Sequence, residues 1–169
     1  MREVSRCAVA IAAVAAVIVA GSSSAWAATV KVARVVPFAE GSGASDKVKA
    51  ECQLETKVTT FLAEFSNDVE LIDGAPGPDG RVLELAITSV HAPGGGAFSG
   101  GKSMTVSGTL RQDGTEIGDF VASRISGGGA FGGYKGTCGI VGRCAKVIGK
   151  DIAAWLANPA KGSRLGDAR

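Results

Sequence analysis

The most regular alternation of apolar and polar residues in this chain is found in Ser103-Met104-Thr105-Val106-Ser107-Gly108-Thr109-Leu110-Arg111. Met104, Val106 and Leu110 fall on one side of an extended backbone, because successive side chains of a strand point to opposite faces. The pattern predicts a strand with one buried and one solvated face. Asp113-Gly114 follows at once and is a strong hairpin signal, so Thr115–Ile125 is predicted to return as the antiparallel partner strand.

Further strands are predicted on the N-terminal side of this hairpin. Leu83, Leu85 and Ile87 recur at every second position and indicate a third strand of the same sheet. It is preceded by a turn region over residues 73–80, which is rich in Gly and Pro. The predicted strands before the hairpin are Val30–Phe38, a short candidate at Val69–Ile72, and Arg81–Val90.

Two segments keep the spacing of an amphipathic helix. The first is Lys47–Phe65, which can be capped by Ser45 or Asp46. The second runs from about Val141 to Ala157 and stops at Asn158-Pro159, because proline cannot continue a helix. The residues that share the apolar faces are Val48, Cys52, Val58, Leu62 and Phe65 in the first helix, and Cys144, Ile148, Ile152 and Trp155 in the second.

The order of these elements predicts the fold class. Strand, helix, three antiparallel strands and helix indicate an α+β domain, with a mixed, mainly antiparallel sheet (β-α-β-β-β-α order) and two helices packed on one face. Following the chain direction from strand to strand makes the two helices parallel, with both N-termini at the same end of the sheet. We expect a single domain over residues 28–158 and a flexible tail over residues 159–169.

Residues 1–27 have the three-part layout of a secretion signal. Arg2 and Arg6 give a basic start, Cys7–Ala20 is an uninterrupted apolar run, and Ala25-Trp26-Ala27 is a small-x-small site. The run is shorter than the roughly 20 apolar residues that a spanning helix needs. We therefore expect cleavage after Ala27, a periplasmic or secreted protein, and no integral membrane span after cleavage.

The charge pattern excludes one class of partner. The chain has 18 basic and 16 acidic residues, a net charge of +2, and the two signs are mixed along the sequence. Nucleic-acid-binding proteins concentrate their basic residues on one face. We therefore expect no nucleic-acid partner.

Three cysteines remain after the predicted cut, namely Cys52, Cys138 and Cys144. Because an exported protein meets an oxidising compartment, we expect one disulfide, with the odd cysteine unpaired or bonded to a partner such as a second copy of the chain. The two long-range pairings of Cys52 and the local pairing of Cys138 with Cys144 remain open. No metal site is predicted, because the only histidine, His91, is remote in sequence and closely spaced ligand pairs are absent.

The segment Gly96–Ser103 matches the G-x-x-x-x-G-K-S pattern of phosphate-binding loops. In that motif a helix must follow the loop, because the N–H groups at its N-terminus bind the phosphates. Here Lys102 leads into the predicted central strand instead. We therefore predict neither a nucleotide nor another cofactor.

A Gly-Gly-Gly-Ala-Phe motif occurs twice, at Gly94–Phe98 and at Gly127–Phe131. One copy precedes the central strand and the other follows its hairpin partner, so antiparallel pairing brings both loops to one end of the sheet. We predict that Phe98, Phe131 and Tyr134 provide an adaptable contact surface for a protein or membrane partner. The alternative is that these aromatic rings pack back over the sheet edge.

No catalytic group is predicted. The enzymatic alternative is a small secreted hydrolase in which His91 acts as a general base. A nucleophile and a carboxylate would have to surround it, yet no serine lies in a nucleophile-elbow pattern and the carboxylates are scattered singly.

Part of the chain resembles a domain-of-unknown-function family of small exported bacterial envelope proteins. The likeness covers residues 83–133, about a third of the chain, and lies in the apolar strand before the glycine-rich loop, in Gly101–Val106, and in Leu110–Phe120. Many members of that family are lipoproteins, whereas this chain has no cysteine directly after its apolar leader. The resemblance implies an α/β domain near the cell envelope and implies no activity.

The expected function is therefore a non-enzymatic binding or envelope-accessory domain with an unidentified envelope protein as its partner. The hydrolase and a disulfide-linked structural dimer are the alternatives.

Overall fold

The computed structural model describes residues 29–95, 99–127 and 135–168 of the chain. Within them the chain forms six strands and three helices. Their bounds are β1 Val30–Ala33, α1 Asp46–Cys52, α2 Leu54–Phe65, β2 Val69–Ile72, β3 Arg81–His91, β4 Lys102–Gln112, β5 Thr115–Ser126, α3 Thr137–Leu156 and β6 Ser163–Gly166.

The six strands form one mixed sheet in the order β2-β1-β3-β4-β5-β6. Strands β3, β4 and β5 pair antiparallel, whereas β1 is parallel to both of its neighbours and β6 is parallel to β5. The helices pack on one face of this sheet, where the apolar side chains of α2 and α3 meet those of the central strands. The predicted α+β class, with a mixed and mainly antiparallel sheet, is confirmed.

The predicted central hairpin is confirmed almost to the residue. Met104, Val106 and Leu110 are fully buried, and Thr105, Ser107 and Thr109 are partly exposed on the other face. The turn has positive φ angles at Asp113 (49°) and Gly114 (78°), which is the backbone that an Asp-Gly hairpin favours. The Asp113 carboxylate accepts hydrogen bonds from Gln112 and from the Gly80 amide, and these bonds lower the pKa of Asp113.

One apolar position of β4 holds a glycine, and packing explains it. A Cβ atom at Gly108 would overlap the ring of Phe120 and would lie 2.9 Å from Cδ2 of Leu85. Phe120 is 1% exposed and fills this space from the neighbouring strand. The missing side chain in β4 is therefore replaced by a large one from β5.

The predicted first helix is two helices in the structure. Gln53 has a left-handed backbone (φ 52°, ψ 40°) and separates α1 from α2. Cys52 and Leu54 are both fully buried. In a continuous helix, residues two positions apart point about 200° apart, so one of these side chains would face away from the sheet. The break at Gln53 restores a common direction for both.

The predicted strand Val30–Phe38 is too long. Strand β1 ends at Ala33, and Phe38 forms only an isolated bridge with Ile87. The intervening backbone turns toward the helices, because the Val36 amide donates to the carbonyl oxygen of Glu55 at 2.9 Å.

The segment predicted as a flexible tail contains a strand of the sheet. Strand β6 pairs with the middle of β5, and Leu165 packs against the core. Ser163 accepts a hydrogen bond of 2.9 Å from the Trp155 indole, and the Asp119 carboxylate accepts one of 2.8 Å from the Gly162 amide. Four residues that alternate only weakly give no strand signal on their own, so sequence reasoning missed this strand.

Helix α3 begins at Thr137, four residues before the position predicted from the sequence. Gly139 and Gly142 lie inside its first turns without interrupting it. None of the three helices in the described part of the chain is long and apolar enough to cross a membrane.

Candidate functional site

The ends of four elements meet at one end of the sheet, which we call the loop end. Strands β3 and β5 finish there, at His91 and Ser126, and β4 and α3 begin there, at Lys102 and Thr137. Lys102 is paired with Ser126 in the sheet register. The two glycine-rich segments therefore leave the sheet side by side, as the hairpin geometry predicts. Phe98, Phe131 and Tyr134, the predicted contact residues, lie outside the described residues.

A disulfide between Cys52 and Cys138 fixes the helices at the loop end. The Sγ atoms are 1.97 Å apart, and the bond joins the last residue of α1 to the first turn of α3. The cysteines are 86 positions apart, and closing a loop of that size removes about 4.6 kcal/mol of chain entropy from the unfolded state. This pairing is one of the long-range alternatives left open by the sequence.

The local pairing of Cys138 with Cys144 is wrong for a geometric reason. Helix α3 is continuous over both positions, and six residues of helix rise about 9 Å, which exceeds the reach of a disulfide. Gly139 and Gly142 lie within this helix and do not interrupt it.

Cys144 remains a free thiol and is buried. It is 2% exposed, and its Sγ donates to the carbonyl oxygen of Lys102 at 3.6 Å. Burial, with a smaller contribution from the charge of Asp167, raises the pKa of Cys144 to about 11. Because the thiolate is the reactive form, this cysteine is neither accessible nor activated for bonding to a second chain. The disulfide-linked dimer predicted as an alternative is therefore not available through Cys144.

Lys102 is fully buried at the start of β4. Its ammonium donates to the Ser99 hydroxyl at 2.7 Å and to the Gly100 carbonyl oxygen at 3.1 Å. In a phosphate-binding loop the lysine reaches outward and a helix follows. Here Lys102 donates its hydrogen bonds to the segment that directly precedes it, and it is the first residue of strand β4. The predicted strand at this position is confirmed, and Lys102 acts as an internal anchor of the glycine-rich segment.

An open groove of about 390 Å³ lies beside the disulfide. It runs between α1, the chain that follows β3, and the start of α3, where the Thr137 hydroxyl donates to the Pro93 carbonyl oxygen at 3.2 Å. Lys47 and Glu51 give it one charge of each sign, while glycine backbone forms much of the rest. Such a surface offers hydrogen-bonding backbone, and its shape is fixed by a covalent bond on one side.

The surroundings of His91 do not form a catalytic triad. His91 is exposed at the end of β3, and the sheet register places Ser103 opposite it and Ile125 beyond Ser103. A serine therefore lies opposite the histidine, whereas a triad also needs a carboxylate bonded to the histidine itself. Among the described residues, no group of three or more His, Cys, Asp or Glu side chains comes together in a way that could hold a metal ion.

Sequence comparison identifies no family: no family model matches the chain, and no curated protein matches it. Several solved structures are similar in backbone. A PelC dodecamer from Paraburkholderia phytofirmans superposes with a TM-score of 0.47 at 16% sequence identity, covering 76% of this chain and 88% of that chain. A DUF330 protein from Xanthomonas campestris gives 0.43 at 10% identity, covering 75% and 82%.

A minor lipoprotein from Acinetobacter baumannii is a third similar structure. It gives a TM-score of 0.37 at 16% identity, and the superposition covers 76% of this chain and 93% of that chain. These superpositions extend over about three quarters of this chain, whereas the sequence resemblance to a family of unknown function spans about a third.

Proposed function

We propose that this protein is an exported, non-enzymatic binding domain that serves as an accessory to an envelope assembly. Its contact surface is the loop end, with Phe98, Phe131 and Tyr134 on the two glycine-rich loops and the groove beside the disulfide. The leader at residues 1–27 delivers the chain to the periplasm or beyond, and the domain that remains starts at Ala28.

One observation carries this proposal, namely that the described ends of both glycine-rich segments lie side by side on a rigid base. Lys102 anchors the first segment through Ser99 and Gly100, and the disulfide holds the start of α3 directly after the second. Loops of this kind on a fixed scaffold are the usual location of binding residues.

Site-specific photo-cross-linking in intact cells tests the proposal. A photo-reactive residue is placed at Lys47, whose side chain is 79% exposed and lines the groove. The matched control is Lys161, which is 64% exposed and contacts Glu116 at the opposite end of β5. We expect one reproducible protein adduct from position 47 and none from position 161.

The same experiment tests whether the aromatic side chains of the glycine-rich segments contribute to binding at the groove. Replacing Phe98 and Phe131 by serine together should abolish the adduct at position 47 while leaving expression and export unchanged. Equal adducts from positions 47 and 161, or no adduct at either, would contradict the proposal. Retention of the leader in the protein recovered from cells would contradict its export.

A further inference from the structure

The outer side of α3 is a second surface with a distinct chemistry. Arg143, Lys146 and Lys150 follow one another at helical spacing on this side and are exposed. The single acidic residue of α3, Asp151, is turned toward the sheet, where it accepts two hydrogen bonds from Arg124 at 2.8 and 3.0 Å. The solvent side of this 20-residue helix therefore carries basic charge only.

This arrangement has a cost within the isolated domain. Lys146 and Lys150 are one turn apart, and like charges at that spacing destabilise a helix by a few tenths of a kcal/mol. Lys146 is partly compensated by Glu64 of α2 at 3.3 Å. Even with Glu64 included, the surface keeps an excess of positive charge, in a chain whose other charges are mixed.

Exposed apolar side chains accompany these basic residues. Val147 on α3 is 40% exposed, and Phe65 at the end of α2 is 39% exposed. The Lys146 ammonium lies 5.6 Å from the centre of the Phe65 ring. A groove of about 530 Å³ opens between α3 and the end of β5, with Arg143, Lys146 and Val147 in its walls beside Asp167, whose carboxylate is paired with Arg124 at 3.6 Å.

We infer that this surface, which we call the basic face (Arg143, Lys146, Lys150, Val147 and Phe65), docks the domain on an anionic phospholipid surface. Charge complementarity favours a membrane as the partner. Basic residues attract the phosphates of an anionic lipid surface, while apolar side chains enter its head-group region. The open face of the sheet points the opposite way and carries Ser and Thr in its centre. The inference rests on the proposed function only in that export brings the domain to a membrane.

Vesicle co-sedimentation of the processed chain tests the inference. The probes are vesicles of phosphatidylglycerol and phosphatidylcholine in equal parts, and vesicles of phosphatidylcholine alone. We expect binding to the first and not to the second. Raising the ionic strength from about 0.1 M to about 1 M shortens the screening length from about 10 Å to about 3 Å, so the binding should then be lost.

Two double variants with the same change in net charge locate the surface. Lys146→Gln with Lys150→Gln should weaken binding about 30-fold, since each lysine near an anionic surface contributes about a factor of five. Lys150→Gln alone should weaken it about five-fold. Lys31→Gln with Arg164→Gln, on the opposite side of the molecule, should leave binding unchanged.

Three outcomes would overturn the inference. They are no binding of the unmodified chain to anionic vesicles, equal binding to neutral vesicles, and equal weakening by the two double variants. The last would indicate attraction by net charge alone. None of these outcomes affects the adduct expected at position 47, so failure of the basic face and failure of the loop end are distinguishable.

Discussion

At the scale of single residues, burial of the Cys144 thiol predicts the pH at which this thiol ionises. Its pKa is raised to about 11 by burial, whereas an ordinary thiol has a value of 9.0. In the chain cut after Ala27, which lacks Cys7, ultraviolet absorbance of the thiolate should therefore show a transition near pH 11 in the native state and near pH 9 in urea. Cys144→Ala should abolish both transitions, and a native transition near pH 9 would contradict burial of the thiol.

The sign of the linked stability effect follows from this difference. Below pH 9 both states hold the proton, so Cys144 does not make stability depend on pH there. Between pH 9 and about 11 the unfolded chain ionises first, which favours unfolding. The free energy of unfolding of the natural chain should therefore fall over this range relative to that of Cys144→Ala.

Lys102 provides a second test at this scale. Lys102→Met keeps a long apolar stem in the buried position but removes the donors to Ser99 and Gly100. Hydrogen bonds from a charged group are worth about 1.5–3 kcal/mol, and the cost of burying the ammonium offsets them, so we expect a small change in melting temperature. Hydrogen exchange of the amides at residues 99–101 should speed up at least ten-fold. Unchanged exchange there would show that Lys102 does not anchor the loop.

At the scale of elements, the contact of α2 with α3 depends on one glycine. A Cβ atom at Gly149 would lie 2.9 Å from the Leu62 amide nitrogen and from Cβ of Phe61. Gly149→Ala should therefore destabilise the domain by about 2 kcal/mol, because crowding exceeds the gain in helix propensity. Gly142→Ala, in the same helix and with no atom within 4 Å, should instead stabilise it by up to about 1 kcal/mol. Urea titration of both variants measures the contrast, and equal effects would contradict the packing.

The elements differ in how far they could be predicted, and the reason is the range of the interactions that define them. The hairpin of β4 and β5 could be predicted, because the alternation of apolar and polar residues and the Asp113-Gly114 turn lie within one stretch of sequence. The break at Gln53 and the continuity of α3 through two glycines depend on packing against the sheet and on a bond to Cys138. A single sequence carries no local signal for either.

At the scale of the whole molecule, the sheet could be predicted in class but not in extent. The parallel pairs that β1 and β6 make join segments far apart in the chain, and β6 has four residues. The loop end could be predicted because it depends only on hairpin direction. The basic face could not be predicted from the sequence. It becomes visible only when the boundaries of α3 are known and the Asp151 side chain is seen to point toward Arg124 of the sheet.

Strand β6 can be tested as part of the domain. A chain ending at Asn158 loses the pairing with β5, the burial of Leu165 and the partner of the Trp155 indole. We expect a loss of about 3 kcal/mol in the free energy of unfolding and a red shift of the Trp155 fluorescence. A chain that lacks only Arg169 is the control. If both chains melted at the same temperature, residues 159–168 would be the loose tail that the sequence alone suggested.

Because β6 lies near the C-terminus, the six-stranded sheet can form completely only after almost the whole chain has been synthesised. Part of the edge of β5 stays unpaired until residues 163–166 have been synthesised. Only then can the Trp155 indole donate its hydrogen bond to Ser163. Any fragment of the chain that ends before Ser163 therefore leaves this edge of β5 unpaired and the Trp155 indole without its partner.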